Sequence, residues 1–186
     1  MGCDIHAYTE QLIDGKWVSN QAWADKYGDG SLDVEWETRY TNRNYHLFGL
    51  LADVREDTGF NLTPRGLPLD VSPQVKLASD DWGSDAHSHS FFTLQELLVL
   101  QSDLDSKTVK ISGMKDAKSL TALEDSLASD QPDYDLLYPY SGWTNQKGWI
   151  PFEVEIPASI PVRLDTFIDY VETAGENSRV VFWFDN

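Results

Sequence analysis

The stretch Cys3-Asp4-Ile5-His6-Ala7-Tyr8-Thr9 predicts an extended strand at the start of the chain, because its apolar and polar residues alternate. In an extended chain this alternation separates two sets of side chains: Cys3, Ile5 and Ala7 on one side, and Asp4, His6 and Tyr8 on the other. The pair Asp14-Gly15 is a hairpin-turn sequence and leads into Lys16-Trp17-Val18. The chain is therefore predicted to open with a half-buried strand that returns as a β-hairpin.

Helical spacing of apolar residues appears further along the chain, in four segments: 44–55, 93–104, 117–127 and 164–174. Asn42 or Asn44 is the predicted N-cap of the first helix, and Thr93 with Glu96 forms a capping box for the second. Short strands are predicted at 34–40, 156–162 and 179–184, and long loops at 24–34, 56–90 and 129–150. We predict one α+β domain over residues 1–186, with a mainly antiparallel sheet, three to four helices and long functional loops.

The charge balance restricts the partners. The chain has 31 acidic and 14 basic residues and a formal net charge of −17. Such a surface repels phosphate backbones, so no long nucleic acid is expected as a partner. No apolar run is long enough for a membrane span, no secretory signal is recognisable, and Cys3 alone cannot form a disulfide framework. We therefore expect a cytoplasmic protein without a membrane partner.

Two polar motifs could carry chemistry. In Asp85-Ala86-His87-Ser88-His89, an extended chain would project Asp85, His87 and His89 to one face. The pair Asp4 and His6 repeats this spacing on the first strand. Imidazoles and carboxylates in this arrangement suit a divalent metal such as Zn²⁺, Mn²⁺ or Mg²⁺. Either motif could also be a solvated stretch without function, so the hypothesis depends on the two motifs meeting in space, with His6 within about 10 Å of His87 or His89.

Ligand-binding residues are predicted beside these motifs. Arg43 precedes a helix N-terminus, where backbone N–H groups favour anions, and Arg65 lies in a rigid turn suited to holding a phosphate. Asn44 belongs to the same helix start, and the aromatic rings of Tyr45 or Trp82 could stack on a base. These residues favour a small phosphorylated ligand over a bare metal site.

The motifs together resemble a protein family. The start Met1-Gly2-Cys3-Asp4-Ile5-His6, the segments 43–55 and 65–68, and the segment 85–90 are similar to those of small proteins from bacteriophages and bacteria, over roughly the first half of the chain. The resemblance implies a phage accessory protein in the host cytoplasm, of a kind that often counters host immunity, including signalling by cyclic or ADP-ribose-type nucleotides.

Three functions remain open at this point. The first is a phage-type hydrolase, a phosphodiesterase acting on a small nucleotide such as an immune signal. Its catalytic residues would be His6, His87 and His89, either with metal held by Asp4, His6, Asp85, His87 and His89 or without metal through two histidines as general acid and base. The second is a protein that sequesters the nucleotide without turnover. The third is an inhibitor that binds another protein through its acidic surface.

Overall fold

The computed structural model describes residues 2–19, 21–25, 28, 30–55, 59–138 and 147–185. These residues form helices and antiparallel strands, which confirms the predicted α+β class. Their contacts group into two compact units, Met1–Asp103 with Pro161–Asn186, and Leu104–Ile160. That all 186 residues fold as one domain stays a prediction. No helix in the described part of the chain combines the length and the apolar character needed to cross a membrane.

The strands are β1 (Ile5–Ile13), β2 (Lys16–Val18), β3 (Trp23–Ala24), β4 (Asp33–Val34), β5 (His87–Thr93), β6 (Thr108–Asp116), β7 (Trp149–Pro157) and β8 (Ser178–Phe184). The α-helices are α1 (Tyr45–Ala52), α2 (Pro73–Trp82), α3 (Leu94–Asp105), α4 (Ala117–Leu127), α5 (Ser159–Val162) and α6 (Leu164–Glu172). Short 3₁₀ helices occupy Trp36–Thr38, Gly83–Asp85 and Tyr134–Leu137.

The first unit is built on a four-stranded antiparallel sheet in the order β2-β1-β8-β5. Every residue of β8 is buried, because helices and loops cover both faces of the sheet. On the face that we call the phenylalanine face, Phe184 packs on Phe48 of α1, with ring centroids 5.0 Å apart. On the opposite tryptophan face, Trp183 belongs to a core cluster with Tyr8 of β1 and with Val75 of α2.

Several local predictions are confirmed. Asp14 and Gly15 both have positive φ, 49° and 75°, as a two-residue type I′ hairpin turn requires. The side chain of Asn44 accepts hydrogen bonds from the first N–H groups of α1. In the capping box, Thr93 N–H donates to Glu96 Oε2 at 2.8 Å, and Glu96 N–H donates to Thr93 Oγ1 at 3.2 Å. Turn residues and side-chain caps that are close in sequence therefore set these element boundaries.

Other predictions are wrong. The expected loop 56–90 contains α2. This helix is rich in polar residues, and it buries only Val75, Ala78 and Ser79. The expected strand 34–40 is instead the end of β4 followed by a 3₁₀ turn. The segment 156–162 is extended only to Pro157 and then turns into α5. Helices α2 and α5 bring the described helices to six, two more than the upper end of the predicted range.

A β-bulge in β5 divides the His-x-His motif. His87 pairs with Phe184 and Ser90 with Phe182, so β5 uses one residue more than β8 over this interval. Ser88 has a φ of 52°, in the left-handed region that accommodates the extra residue. As a result His87 lies on the phenylalanine face, whereas His89 lies on the tryptophan face. The prediction that Asp85, His87 and His89 share one face is therefore wrong.

A buried ion pair connects the sheet to the start of α2. Arg179 of β8 and Glu10 of β1 are 3% and 0% exposed, and Arg179 Nε donates to Glu10 Oε2 at 2.6 Å. The other oxygen of Glu10 accepts the N–H of Ser72, at the N-cap of α2, at 2.6 Å. Arg179 also contacts Asp70, and its guanidinium lies 4.1 Å from the ring of Trp17. This network fixes the position of α2 over the tryptophan face.

The second unit, Leu104–Ile160, contains a two-stranded antiparallel sheet of β6 and β7, with α4 between the two strands in sequence and packed on both. Its core is apolar, with Ile111, Leu120, Leu123, Leu137, Phe152 and Ile156 buried together. The predicted helix 117–127 is confirmed, capped by the Asp116 carboxylate. Strand β6 was not predicted. Most of the predicted loop 129–150 either lacks regular structure or lies outside the described residues, apart from the 3₁₀ turn and the start of β7.

Candidate functional site

His6 occupies the tryptophan face, near the edge of the first unit's sheet. Its position in β1 directs the imidazole toward two indoles, with ring centroids 4.1 Å from Trp82 and 6.1 Å from Trp183. The side chain is 16% exposed. Burial lowers the pKa of His6, and the neighbouring carboxylate of Asp185 offsets only part of that effect. The imidazole is therefore mainly neutral at neutral pH, which is the form that can accept a proton.

Asp185 follows β8 directly and orients His6. Its Oδ2 lies 3.2 Å from His6 Nε2, and its Oδ1 accepts the N–H of Asp4 at 2.9 Å. Burial acts to raise the pKa of Asp185, but the hydrogen bonds from Asp4 N–H and His6 outweigh it and hold that pKa below its usual value. An ionised Asp185 favours the tautomer with the proton on Nε2, so Nδ1 becomes the basic nitrogen of His6.

Two cavities meet at His6 and Arg39. The first has a volume of about 350 Å³ and is lined by residues that include Asp4, His6, Trp36, Arg39 and Arg43. The second has a volume of about 390 Å³ and is lined by residues that include His6, Asp33, Arg39, Asp81, Trp82 and Asp85. His6 and Arg39 line both cavities, and we call the two adjoining cavities together the His6 cleft. Its two ends are the arginine cavity and the acidic cavity.

The two arginines of the arginine cavity are held by carboxylates. Arg43 donates to both oxygens of Asp4, through Nε at 2.8 Å and Nη2 at 2.5 and 2.6 Å. This contact raises the pKa of Arg43 above its ordinary value. Arg39 bonds the carboxylate of Asp33 and the carbonyl of Val34 through Nε and Nη2. Within the described residues, Nη1 of either arginine makes no hydrogen bond, so each can still donate to a ligand.

The remaining histidines do not join His6 at the cleft. His89 stacks on Trp183 from the β5 side, with centroids 5.6 Å apart, and its Nε2 lies 2.9 Å from Ser79 Oγ. His6 of β1 and His89 of β5 therefore contact the same indole from the two strands that flank β8. The two histidines are separated by two strand spacings, or roughly 10 Å. His87 lies on the opposite face of the sheet, where its Nε2 is buried without a hydrogen-bond partner among the described residues.

The predicted metal set is not assembled. Asp4 is engaged by Arg43, Asp85 lies in the 3₁₀ turn at the acidic cavity, and the bulge separates His87 from His89. Among the residues that the structure describes, no three His, Cys, Asp or Glu side chains come together in a way that could hold a metal ion. The set Asp4, His6, Asp85, His87 and His89 therefore does not form one coordination site there.

Three of the predicted ligand-binding residues lie away from the cleft. The side chain of Asn44 is used within the fold, since it caps α1 and donates to the carbonyls of Pro161 and Val162. Tyr45 packs edge-on against Phe48. Arg65 pairs with Glu96 at 2.9 Å and lines a different groove, beside α3. Of the predicted residues, Asp4, His6, Arg43, Trp82 and Asp85 line the cleft.

Sequence reasoning missed the cleft residues Asp33, Trp36, Arg39 and Asp81, and it missed Asp185, which bonds His6. Asp185 could have been found only by pairing the first and last strands, which places it beside Asp4. Trp36 and Arg39 fell within a segment that was interpreted as a strand, and Asp81 in one interpreted as a loop. No motif in the sequence indicates any of them.

The chain matches no protein-family model, and no curated protein or solved structure is significantly similar to it. The resemblance to the phage and bacterial family therefore stays a prediction.

The two histidines of the tryptophan face make stability depend on pH. Burial lowers the pKa of both His6 and His89 below 6.5, so the unfolded chain binds more protons than the folded one as the pH falls through that value. We expect the melting temperature to fall between about pH 7.5 and pH 5.5. The variant His89→Asn should show a smaller fall. A fall as steep in His89→Asn as in the unaltered protein would contradict the contribution of His89.

Proposed function

We propose that the His6 cleft binds a small phosphorylated nucleotide and hydrolyses one of its phosphoester bonds, with His6 as general base. The observation that carries the proposal is the position of His6, which lines both cavities and is paired with Asp185. A neutral imidazole that is oriented by a carboxylate is a common general base in hydrolases. Such a pair at the centre of a cleft is a candidate reaction centre rather than a surface feature.

The proposed step uses groups of this chain only. Nδ1 of His6 takes a proton from water, the resulting hydroxide attacks phosphorus, and the bond from phosphorus to the leaving oxygen breaks. The imidazolium then gives its proton to the leaving oxygen, directly or through solvent, so His6 returns to its neutral form and a phosphodiester yields a phosphate monoester and an alcohol. Arg39 and Arg43 would bind the non-bridging oxygens and offset the charge that develops on them.

The aromatic residues at the two ends of the cleft support a nucleotide as the ligand. Trp36 in the arginine cavity is 64% exposed, and Trp82 in the acidic cavity is 36% exposed. Exposed indoles can stack on a base with about 1–3 kcal/mol of binding free energy. A ligand with both an aromatic base and a phosphate would use the arginines and one of the indoles together.

A second candidate is sequestration of the nucleotide without turnover. It is favoured by the absence of a second imidazole among the described residues that line the cleft, since His89 is bonded to Ser79 and His87 lies on the other face. Protonation of the leaving group would then depend on solvent. Both candidates require the same pocket and differ only in the fate of the ligand.

The deciding experiment incubates the protein with a panel of mononucleotides, cyclic di- and trinucleotides and NAD derivatives, followed by heat release and chromatography. Recovered fragments would support hydrolysis, and intact ligand retained by the protein would support sequestration. Failure to retain or to change any member of the panel would overturn both.

The arginines provide a prediction on affinity. We expect Arg39→Gln and Arg43→Gln each to raise the Kd of a retained nucleotide by about tenfold, because each removes one charged hydrogen bond to phosphate. The matched control is Arg65→Gln, since Arg65 is paired with Glu96 outside the cleft. Isothermal titration at two salt concentrations measures the change. A larger effect of Arg65→Gln than of the other two would move the phosphate site to the groove beside α3.

A further inference from the structure

The two ends of the His6 cleft differ in charge. Besides Arg39, which is common to both ends, the arginine cavity contains Arg43 and one carboxylate, Asp4. Among the residues that the structure describes, the acidic cavity contains three carboxylates, Asp33, Asp81 and Asp85, and no further cation. A phosphate is therefore attracted to one end and repelled from the other. This difference in charge sets which end of an elongated ligand binds in which cavity.

The three carboxylates of the acidic cavity differ in whether they have hydrogen-bond partners within the protein. Asp33 is paired with Arg39 and accepts the N–H of Val34. The side chains of Asp81 and Asp85 make no hydrogen bond with any other described residue, and the two residues lie at the ends of a short segment that contains Trp82. Ionised carboxylates only accept hydrogen bonds, so their natural ligand partners are N–H donors. The cavity thus combines a flat aromatic surface with acceptors beside it.

We infer that the acidic cavity binds the base of the nucleotide, and that it selects a base with an exocyclic amine, guanine above all. The base would lie on Trp82 with its edge toward Asp81 or Asp85. Guanine presents a ring N–H and an amino group side by side, and these two donors match the two oxygens of one carboxylate. The phosphate then lies in the arginine cavity, and His6 lies between the two. This inference rests on the proposed nucleotide binding.

The size of the cavity agrees with this assignment. At about 390 Å³ it has the volume of a small-ligand pocket and accommodates one nucleoside. The indole of Trp82 is also held in place, since its ring lies 4.1 Å from that of His6, which Asp185 fixes in turn. A preorganised stacking surface reduces the entropy that a bound base would lose.

The test uses two ligands that differ only in the amine. GMP has a 2-amino group and IMP lacks it, while their phosphates and sugars are identical. We expect GMP to bind about tenfold more tightly than IMP, measured by isothermal titration. The double variant Asp81→Asn/Asp85→Asn should reduce this ratio to near one, because an amide accepts with one oxygen only and adds two donors.

A matched control lies in the same helix. Asp80→Asn removes one negative charge directly beside Asp81, but Asp80 is paired with Lys76 and does not line the cavity, so the ratio should persist. Equal affinity for GMP and IMP, or a ratio that survives the double variant, would overturn the base assignment and leave nucleotide binding standing. No binding of GMP, IMP, AMP or UMP, together with no retention or change of any cyclic nucleotide or NAD derivative in the panel, would overturn the proposed function itself. Tighter binding of guanosine than of GMP would show that phosphate does not contribute and would overturn the orientation.

Discussion

Arg179→Met is expected to lower the free energy of unfolding by about 3–5 kcal/mol, because it leaves the carboxylate of Glu10 buried without its cation. Glu10 is fully buried, and of its two partners only the N–H of Ser72 would remain. For a chain of this size, the change corresponds to a fall in melting temperature of roughly 10 °C. Urea denaturation followed by tryptophan fluorescence measures it.

Two further variants make this result specific. Lys76→Met removes an exposed partner of Asp80 in the same unit and should cost no more than about 1 kcal/mol. Glu10→Met/Arg179→Met removes both buried charges and should be more stable than Arg179→Met alone, since no uncompensated charge remains. If the double variant loses the sum of the two single losses, the ion pair is not coupled and the argument fails.

His6→Asn is expected to lower kcat/KM for the proposed hydrolysis by about 10²–10⁴-fold, the usual contribution of a general base. The Kd of the nucleotide should change much less, because the arginines and Trp82 remain. His89→Asn is the matched control: His89 stacks on the same Trp183 but does not line the cleft. Comparable losses in the two variants would indicate a packing effect and would sink the role of His6 as base.

The pH profile separates a base from a packing residue. The rate should rise with pH as His6 loses its proton and reach its plateau below neutrality, because burial lowers the pKa of His6. Asp185 partly offsets that lowering, so Asp185→Asn should move the rise to lower pH and reduce the plateau. A rate that is independent of pH, or one that falls as the pH rises toward neutrality, would contradict base catalysis by His6.

The fold was predictable where local chemistry decides the structure. The first strand, the turn at Asp14-Gly15 and the capping box of Thr93 each depend on neighbours in sequence, and each is confirmed, although the strand is buried on both faces from Ala7 to Glu10 and not half-buried as predicted. Helix α2 was missed because it is rich in polar residues and its buried side is narrow, with only Val75, Ala78 and Ser79. The buried Glu10 fixes its N-terminus from a distant strand, and sequence periodicity cannot reveal such a contact.

The candidate site was predictable in part. His6, Asp4 and Arg43 were identified from their motifs, and they line the cleft together with Trp82 and Asp85. The proposed partner of His6 is Asp185, which lies 179 residues away in sequence and is brought close only by the pairing of β1 with β8. The arginine that both cavities share, Arg39, was concealed in a segment with no recognisable motif. Tertiary pairing decides these contacts.

The bulge at Ser88 has a consequence for how the two histidines of β5 can be altered. In a regular strand, odd-numbered and even-numbered side chains point to opposite faces of the sheet, so residues separated by two share a face and have the same parity. One additional residue reverses the parity, so a single strand supplies an imidazole to each of two separate cores. Deleting Ser88 would remove the additional residue and make His87 and His89 adjacent, opposite Phe184 and Trp183, so both imidazoles would keep their cores, whereas replacing the bulge by a regular strand of the same length would force one of them to leave. The two histidines of this motif are therefore neighbours in sequence that belong to different layers of the protein.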